Sequence, residues 1–197
     1  MRVACRALED IPTDMSQRLQ EIAGRLPGTA AHADWNPPYS GHLDMRIRRD
    51  GSWHYQGGRM TREALVRLFA GILRLEGDTY YLVTPVEKFS IEVEELPFVS
   101  QSLEIRDKGP HQQVLLTTNV DEQLVIGSVH ALCFHRGNCG ELLPAVEVRG
   151  GLRALVQRSH FYQLVDWALE QAGPNEKFPG ILSCGVHFAL HPDQNQT

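Results

Sequence analysis

The sequence predicts an α+β fold of two small modules, each made of β-hairpins packed with one main helix, and three observations predict it. Asp50-Gly51 stands between alternating apolar and polar runs, which is the strongest short hairpin signal. Leu65, Leu68, Phe69 and Ile72 then recur at i, i+3, i+4 and i+7, an apolar stripe on a helix. The order hairpin, amphipathic helix, strand comes twice, at 43–94 and at 131–190, although the residues themselves do not repeat. With 197 residues the chain is long enough to bury a core in each module.

Taken in order, "MSQRLQEIAGRL" places Leu19, Ile22 and Leu26 at helical spacing and stops at Pro27-Gly28. "PGTAAHADWNPPYSG" reads as an extended strap, docked because it carries Trp35 and Tyr39. In the hairpin, a two-residue loop at 50–51 pairs Arg48 with Trp53, Ile47 with His54 and Arg46 with Tyr55. One face then carries Arg46, Arg48, Trp53 and Tyr55, and the other Met45, Ile47, His54 and Gln56. A three-residue bulged loop would reverse that parity. The helix after it takes Thr61 as N-cap, Met60 and Leu65 as a hydrophobic staple, and Gly77 as C′. "TYYLVTPVEKFSIEVEEL" gives two strands around a turn near Pro85, with Ile91 and Val93 inward and Ser90, Glu92 and Glu94 outward.

Beyond Pro97 the pattern is mostly β. One hairpin turns at Asp107-Lys108-Gly109-Pro110, and another near Gly137-Asn138. A helical region runs through "LRALVQRSHFYQLVDWALEQAG", renewed at Ser159 as N-cap and closed at Gly173-Pro174. "ILSCGVHFAL" reads as a closing strand. The division is residues 1–40 for the N-terminal helix and strap, 41–97 and 98–190 for the two modules, and 191–197 for a mobile tail.

Net charge of -5 and a pI near 6.0 argue against nucleic acid as a partner. The longest apolar stretch, "ALVRLFAGILRL", is interrupted by Arg67 and Arg74, so no membrane span is expected. Four scattered cysteines and an N-terminus without a signal-like apolar core suggest a cytoplasmic protein with reduced thiols. Charge is uneven all the same. Gly41 to Tyr80 holds seven arginines against five acids, and Tyr81 to His130 three bases against eight acids.

No catalytic constellation emerges. Cys133, His135 and Cys139 lack the second tight pair a structural zinc needs, and in the hairpin register the two cysteines are not opposite. Cys184 reads as a core cysteine, with His187 on the other face of the strand. There is no nucleophile elbow and no phosphate loop, though Arg59 and Arg62 flank a helix start that could hold an anion. No metal and no cofactor is expected. The opening hairpin has two readings: arginine stacked on aromatic rings as a cross-strand pairing, or a face for a flat anionic ligand.

Two stretches carry a resemblance, "WNPPYSGHLDMRIRRDGSWHYQGGRMTREALVRLF" and "EGDTYYLVTPVEKFSIEVEELPF", joined more loosely by "TTNV" and by "VEVRGGLRAL" with "FYQLVDWA". Across residues 33 to 170 the chain resembles the bacterial domain-of-unknown-function family 1285. The resemblance implies two small α+β modules, the second likened to pleckstrin-homology domains, and a suggested part in signal transduction. It supplies no catalytic residues. Ser40 stands where members of that family often carry cysteine.

The function expected is a ligand- or protein-binding module with a regulatory role, its partner a small anionic ligand or a protein. Its candidate binding residues are Arg46, Arg48, Trp53, Tyr55, Thr84, Glu87, Lys88 and Arg149. One alternative is a small-molecule enzyme using Glu87 and Lys88 or Asp44 as acid–base groups in a cleft between the modules. Another is a non-catalytic assembly subunit, a homo-oligomer.

Overall fold

The structure, a computed structural model, describes residues 35–109, 111–172 and 180–191. The expected N-terminal helix, the helix stop at Gly173-Pro174, and nearly all of the tail lie outside the described residues. Contacts divide the chain into two units. The first takes the chain up to Ile47 and again Ser52–Glu92; the second takes Arg48–Gly51 and the chain from Val93 on.

The first unit has strands β1 (Tyr39–Ile47), β2 (Trp53–Tyr55) and β3 (Gly58–Arg59), and then helix α1 (Glu63–Gly71). Strands β4 (Leu73–Glu76), β5 (Thr79–Val83) and β6 (Lys88–Val93) follow. They form one sheet in the order β3-β2-β1-β6-β5-β4. Alternation along β1 buries Leu43, Met45 and Ile47 and exposes His42, Asp44 and Arg46. Leu65, Phe69 and Ala70 of α1 are buried, and the Phe69 ring stacks on Trp53 at 6.2 Å.

The observed hairpin corrects the expected register. Met45 pairs with Tyr55, Arg46 with His54 and Ile47 with Trp53. The turn runs over Arg48–Gly51, closed by the Gly51 N–H on the Arg48 carbonyl at 2.8 Å, with Gly51 at φ +78°. Asp50-Gly51 therefore ends the turn where the sequence reading centred it. That one-residue slip moves Trp53 to the buried face, away from Arg46.

The end of α1 is corrected as well. Arg62, not Thr61, is the N-cap, and the helix stops at Gly71. Leu73–Glu76 pairs with β5 around a tight Gly77-Asp78 turn, in which Gly77 has φ +59°. Sheet pairing with a partner strand outweighed continuation of the helix. The turn near Pro85 is as expected, between β5 and β6.

The second unit holds β7 (Phe98–Arg106), β8 (Gln113–Thr118), β9 (Gln123–Val125), β10 (Leu132–Arg136), β11 (Leu142–Arg149) and β12 (Leu152–Leu155). Helix α2 (Arg158–Gln171) and the hairpin β13 (Gly180–Ser183) with β14 (Val186–Ala189) complete it. The sheet order is β10-β11-β12-β7-β8-β9, with β12 parallel to β7. Its core includes Phe98, Leu116, Val146, Ala154, Leu164 and Ile181. Both expected hairpins are present, and Cys133 faces Ala145, not Cys139.

Four expectations fail here. The helix Arg158–Gln171 takes Gln157, not Ser159, as N-cap. Leu152–Leu155 is a strand, because Gly150 and Gly151, both at positive φ, reverse the chain onto β11 before the helix begins. The last apolar run is a hairpin, not a single strand, and Cys184 sits exposed in its turn at φ +52°, so it is not a core cysteine. Buried Ser183 ties that hairpin to the sheet unit: its hydroxyl donates to the Ile126 carbonyl at 2.6 Å and accepts the Val114 N–H at 2.9 Å.

Candidate functional site

The first sheet has one face lined by apolar side chains and the other lined by polar ones. Register sets the second face: Arg74 stands opposite Tyr81, and Tyr81 opposite Ser90. Ser90 reaches β1. Its hydroxyl lies 3.1 Å from the Tyr39 hydroxyl and 3.2 Å from Nδ1 of His42. The rings of Tyr39 and Tyr81 meet edge to face, with centroids 6.2 Å apart and planes at 86°. Tyr39 remains 58% exposed.

Three cations of this face, Arg46, Lys88 and Arg74, are each paired with a carboxylate. Arg46 Nε donates to Oε2 of Glu92 at 2.8 Å. Lys88 Nζ bonds Oε2 of Glu76 at 2.8 Å and lies 4.9 Å from the centre of the Tyr81 ring. Only 15% of the Lys88 side chain is exposed. Arg74 contacts the other oxygen of Glu76 and donates to the Trp35 carbonyl at 2.6 Å. The Lys88 ammonium, hydrogen-bonded to Glu76, holds that carboxyl below its ordinary value of 4.5, burial opposing it in part.

The residues singled out from the sequence do not converge. Arg46 and Lys88 share the polar face; Arg48 is exposed in the β1–β2 turn. Trp53 is 1% exposed and serves the core, while half-buried Tyr55 follows it on that side. Thr84 is a turn brace: its hydroxyl donates to the Glu87 carbonyl at 3.1 Å and accepts the Glu87 N–H at 3.0 Å. Arg149 belongs to the second unit, with Nη1 bound to Glu122 at 2.6 and 2.8 Å and its guanidinium over the Phe98 ring. Sequence reading places Tyr39 only as a packing residue and does not bring it together with His42 and Tyr81. The period-2 pattern of "SGHLDMRI" already puts His42 with Arg46, but cross-strand partners are invisible without the strand order.

In the second unit, Glu95 is a buried carboxylate with 3% of its side chain exposed. It accepts the Asn138 N–H at 3.2 Å and lies 3.4 Å from Nε2 of His135 and 4.0 Å from Arg49. Arg49 also bonds Glu141 at 3.0 Å, and its N–H reaches Glu94 at 3.1 Å. The Glu141 carboxyl is held below the ordinary 4.5, first by its own main-chain N–H and then by Arg49. These contacts anchor the 48–51 turn. Burial pushes the Cys133 thiol up, away from nucleophile chemistry. Among the described residues no group of three His, Cys, Asp or Glu is placed to hold a metal ion, and no helix is long and apolar enough to cross a membrane.

The fold and this surface define a class: a two-module α+β protein in which, among the described residues, each module has a six-stranded sheet and one helix, the second with a further two-stranded hairpin, and the first presents a polar, ion-paired sheet face. The chain belongs to the DUF1285 family, a family of unknown function. Residues 32–96 match the DUF1285 N-terminal domain and residues 97–190 the C-terminal domain. The crystal structure of a DUF1285 family protein from Silicibacter pomeroyi DSS-3 is 41% identical, covering 88% of this chain and 94% of that one, with a TM-score of 0.75. A second, from Shewanella baltica OS155, is 23% identical over 63% of this chain and 91% of that one, at a TM-score of 0.49. Among curated proteins there is no match.

Proposed function

We propose that the chain is a cytoplasmic binding module that docks a protein partner through the polar face of its first sheet, in a regulatory or signalling role. Tyr39 carries this reading. Its ring is exposed yet already braced by Tyr81 at its edge and by Ser90 at its hydroxyl. An aromatic side chain fixed before binding loses little freedom when covered, and tyrosine is among the residues that concentrate interface energy.

The charges favour a protein over the small anionic ligand considered from sequence. A phosphate at Arg46 or Lys88 would have to displace Glu92 or Glu76. A protein surface can instead add hydrogen bonds around the pairs, which stay solvated at the rim. Lys88, an acid–base candidate of the enzyme alternative, is tied up in the same way.

The test compares the wild-type chain with a Tyr39→Ala/Arg46→Ala variant and a Tyr162→Ala control, Tyr162 being exposed on α2. A partner retained from source-cell lysate is identified and then titrated against all three. The double variant should lose about 30-fold or more in affinity, the worth of a hot-spot residue, while the control binds as wild type. Light scattering on the same samples shows whether the partner is a second copy. Equal binding by the double variant would refute the assignment. Its stability should fall by less than about 1 kcal/mol from the ion pair, because Arg46 and Glu92 are each about half exposed.

A further inference from the structure

Helix α2 begins without a cap of its own. Gln157 occupies the N-cap position and makes no side-chain bond to the first turn. A hydroxyl from β7 takes that place. The Gln157 N–H donates to Oγ of Ser100 at 2.9 Å, and the same oxygen lies 2.7 Å from Nδ1 of His160. Ser100 has no exposed surface.

A hydroxyl has one proton to place. With Gln157 donating to it, Ser100 satisfies that proton by donating to Nδ1 of His160, which requires a neutral imidazole carrying its own proton on Nε2. We propose that Ser100 and His160 form a pH-sensitive cap that releases the first turn of α2 in acid. Protonated at Nδ1, His160 turns from acceptor to donor. The Ser100 hydroxyl proton is then left without an acceptor in a buried place, the arrangement proteins avoid most consistently.

Burial alone pushes the His160 imidazole below its ordinary value of 6.5. The elements packed most closely against α2 are β13 and β7, with Phe134 of β10 meeting Phe161 edge to face. Beta13 has no charged residue; β7 has Glu104 and Arg106; β10 has His135, Arg136 and the thiol of Cys133; α2 has Arg158, Asp166 and Glu170. None of these charges contributes to the shift. The sign follows from linkage. Unfolded chain takes up a proton that the folded site resists, so the contribution is intact above pH 6.5 and is lost as pH falls through the lowered value.

The test is amide hydrogen exchange and histidine-resolved NMR on the full chain from about pH 8 to about pH 5, the range in which histidines titrate. Corrected for intrinsic rates, exchange at Gln157 to Phe161 should quicken about tenfold as the His160 resonance titrates, the worth of one buried hydrogen bond. A His160→Asn variant, whose amide oxygen can accept from Ser100 but does not titrate, should keep the protection at every pH. A Ser100→Ala variant should lack it at every pH. Protection that ignores pH in the wild type, or an unchanged pH response in His160→Asn, would overturn the proposal. The histidine variant decides the matter even if Ser100→Ala fails to fold.

Discussion

Replacing Trp53 with alanine is expected to lower stability by about 3–5 kcal/mol, the range for emptying an aromatic site in a packed core. The indole has 1% of its surface exposed and lies over Phe69 with planes 16° apart. Ile47 is its cross-strand partner and is fully buried. Neighbouring side chains cannot fill so large a space without leaving their rotamer minima. Denaturant unfolding of the variant, with unchanged slope and a lowered midpoint, is the measurement. A loss below about 1 kcal/mol would return Trp53 to the surface and restore the arginine–tryptophan face that the sequence first suggested. Trp53→Phe should cost less, since it keeps a ring against Phe69.

Gly51→Ala is expected to cost about 2–4 kcal/mol, from two sources that act at one atom. The residue sits at φ +78°, where a Cβ is strained whatever the space around it. The space is also taken: that Cβ would stand 2.7 Å from Nδ2 of Asn119 and 2.8 Å from a methyl of Val99. Asn119 cannot step aside freely. Its amide donates to the Gly51 carbonyl at 2.9 Å and its oxygen accepts the Val99 N–H at 3.0 Å. Thermal unfolding should show the loss, and Gly77→Ala is the comparison. Gly77 has φ +59° but open space around it, so it should pay only the backbone part. Equal losses at the two glycines would remove the packing argument for Gly51.

These two residues mark where reading the sequence succeeded and where it stopped. Asp50-Gly51 was legible as a turn because few residues adopt positive φ, and that constraint is local. Which turn it makes was not legible. Loops differing by one residue satisfy the same dipeptide, and each turns Trp53 to a different face. The binding face shows the same limit. Arg46 and Lys88 stand out by their chemistry alone, but Glu92 and Glu76, which neutralise them, come from other strands. Tyr39 reads from the sequence as a packing residue of the strap, and only β1, β5 and β6 side by side make it a braced, exposed ring.

By itself the sequence determined what depends on near neighbours. It gave the hairpins at 107–109 and around Gly137, the strands on either side of Pro85, the α+β class and the family. Each rests on a local dihedral preference, on alternation along one strand, or on motifs long enough to be distinctive. Tertiary structure decided the rest: the parity of β1 and β2, the end of α1 at Gly71, Leu152–Leu155 as a strand, and Ser100 as the cap of a helix 57 residues away. In those places two local conformations differ by little in intrinsic energy. A partner strand, a buried ring or a borrowed hydroxyl supplies the difference, and where that partner lies is a property of the folded chain.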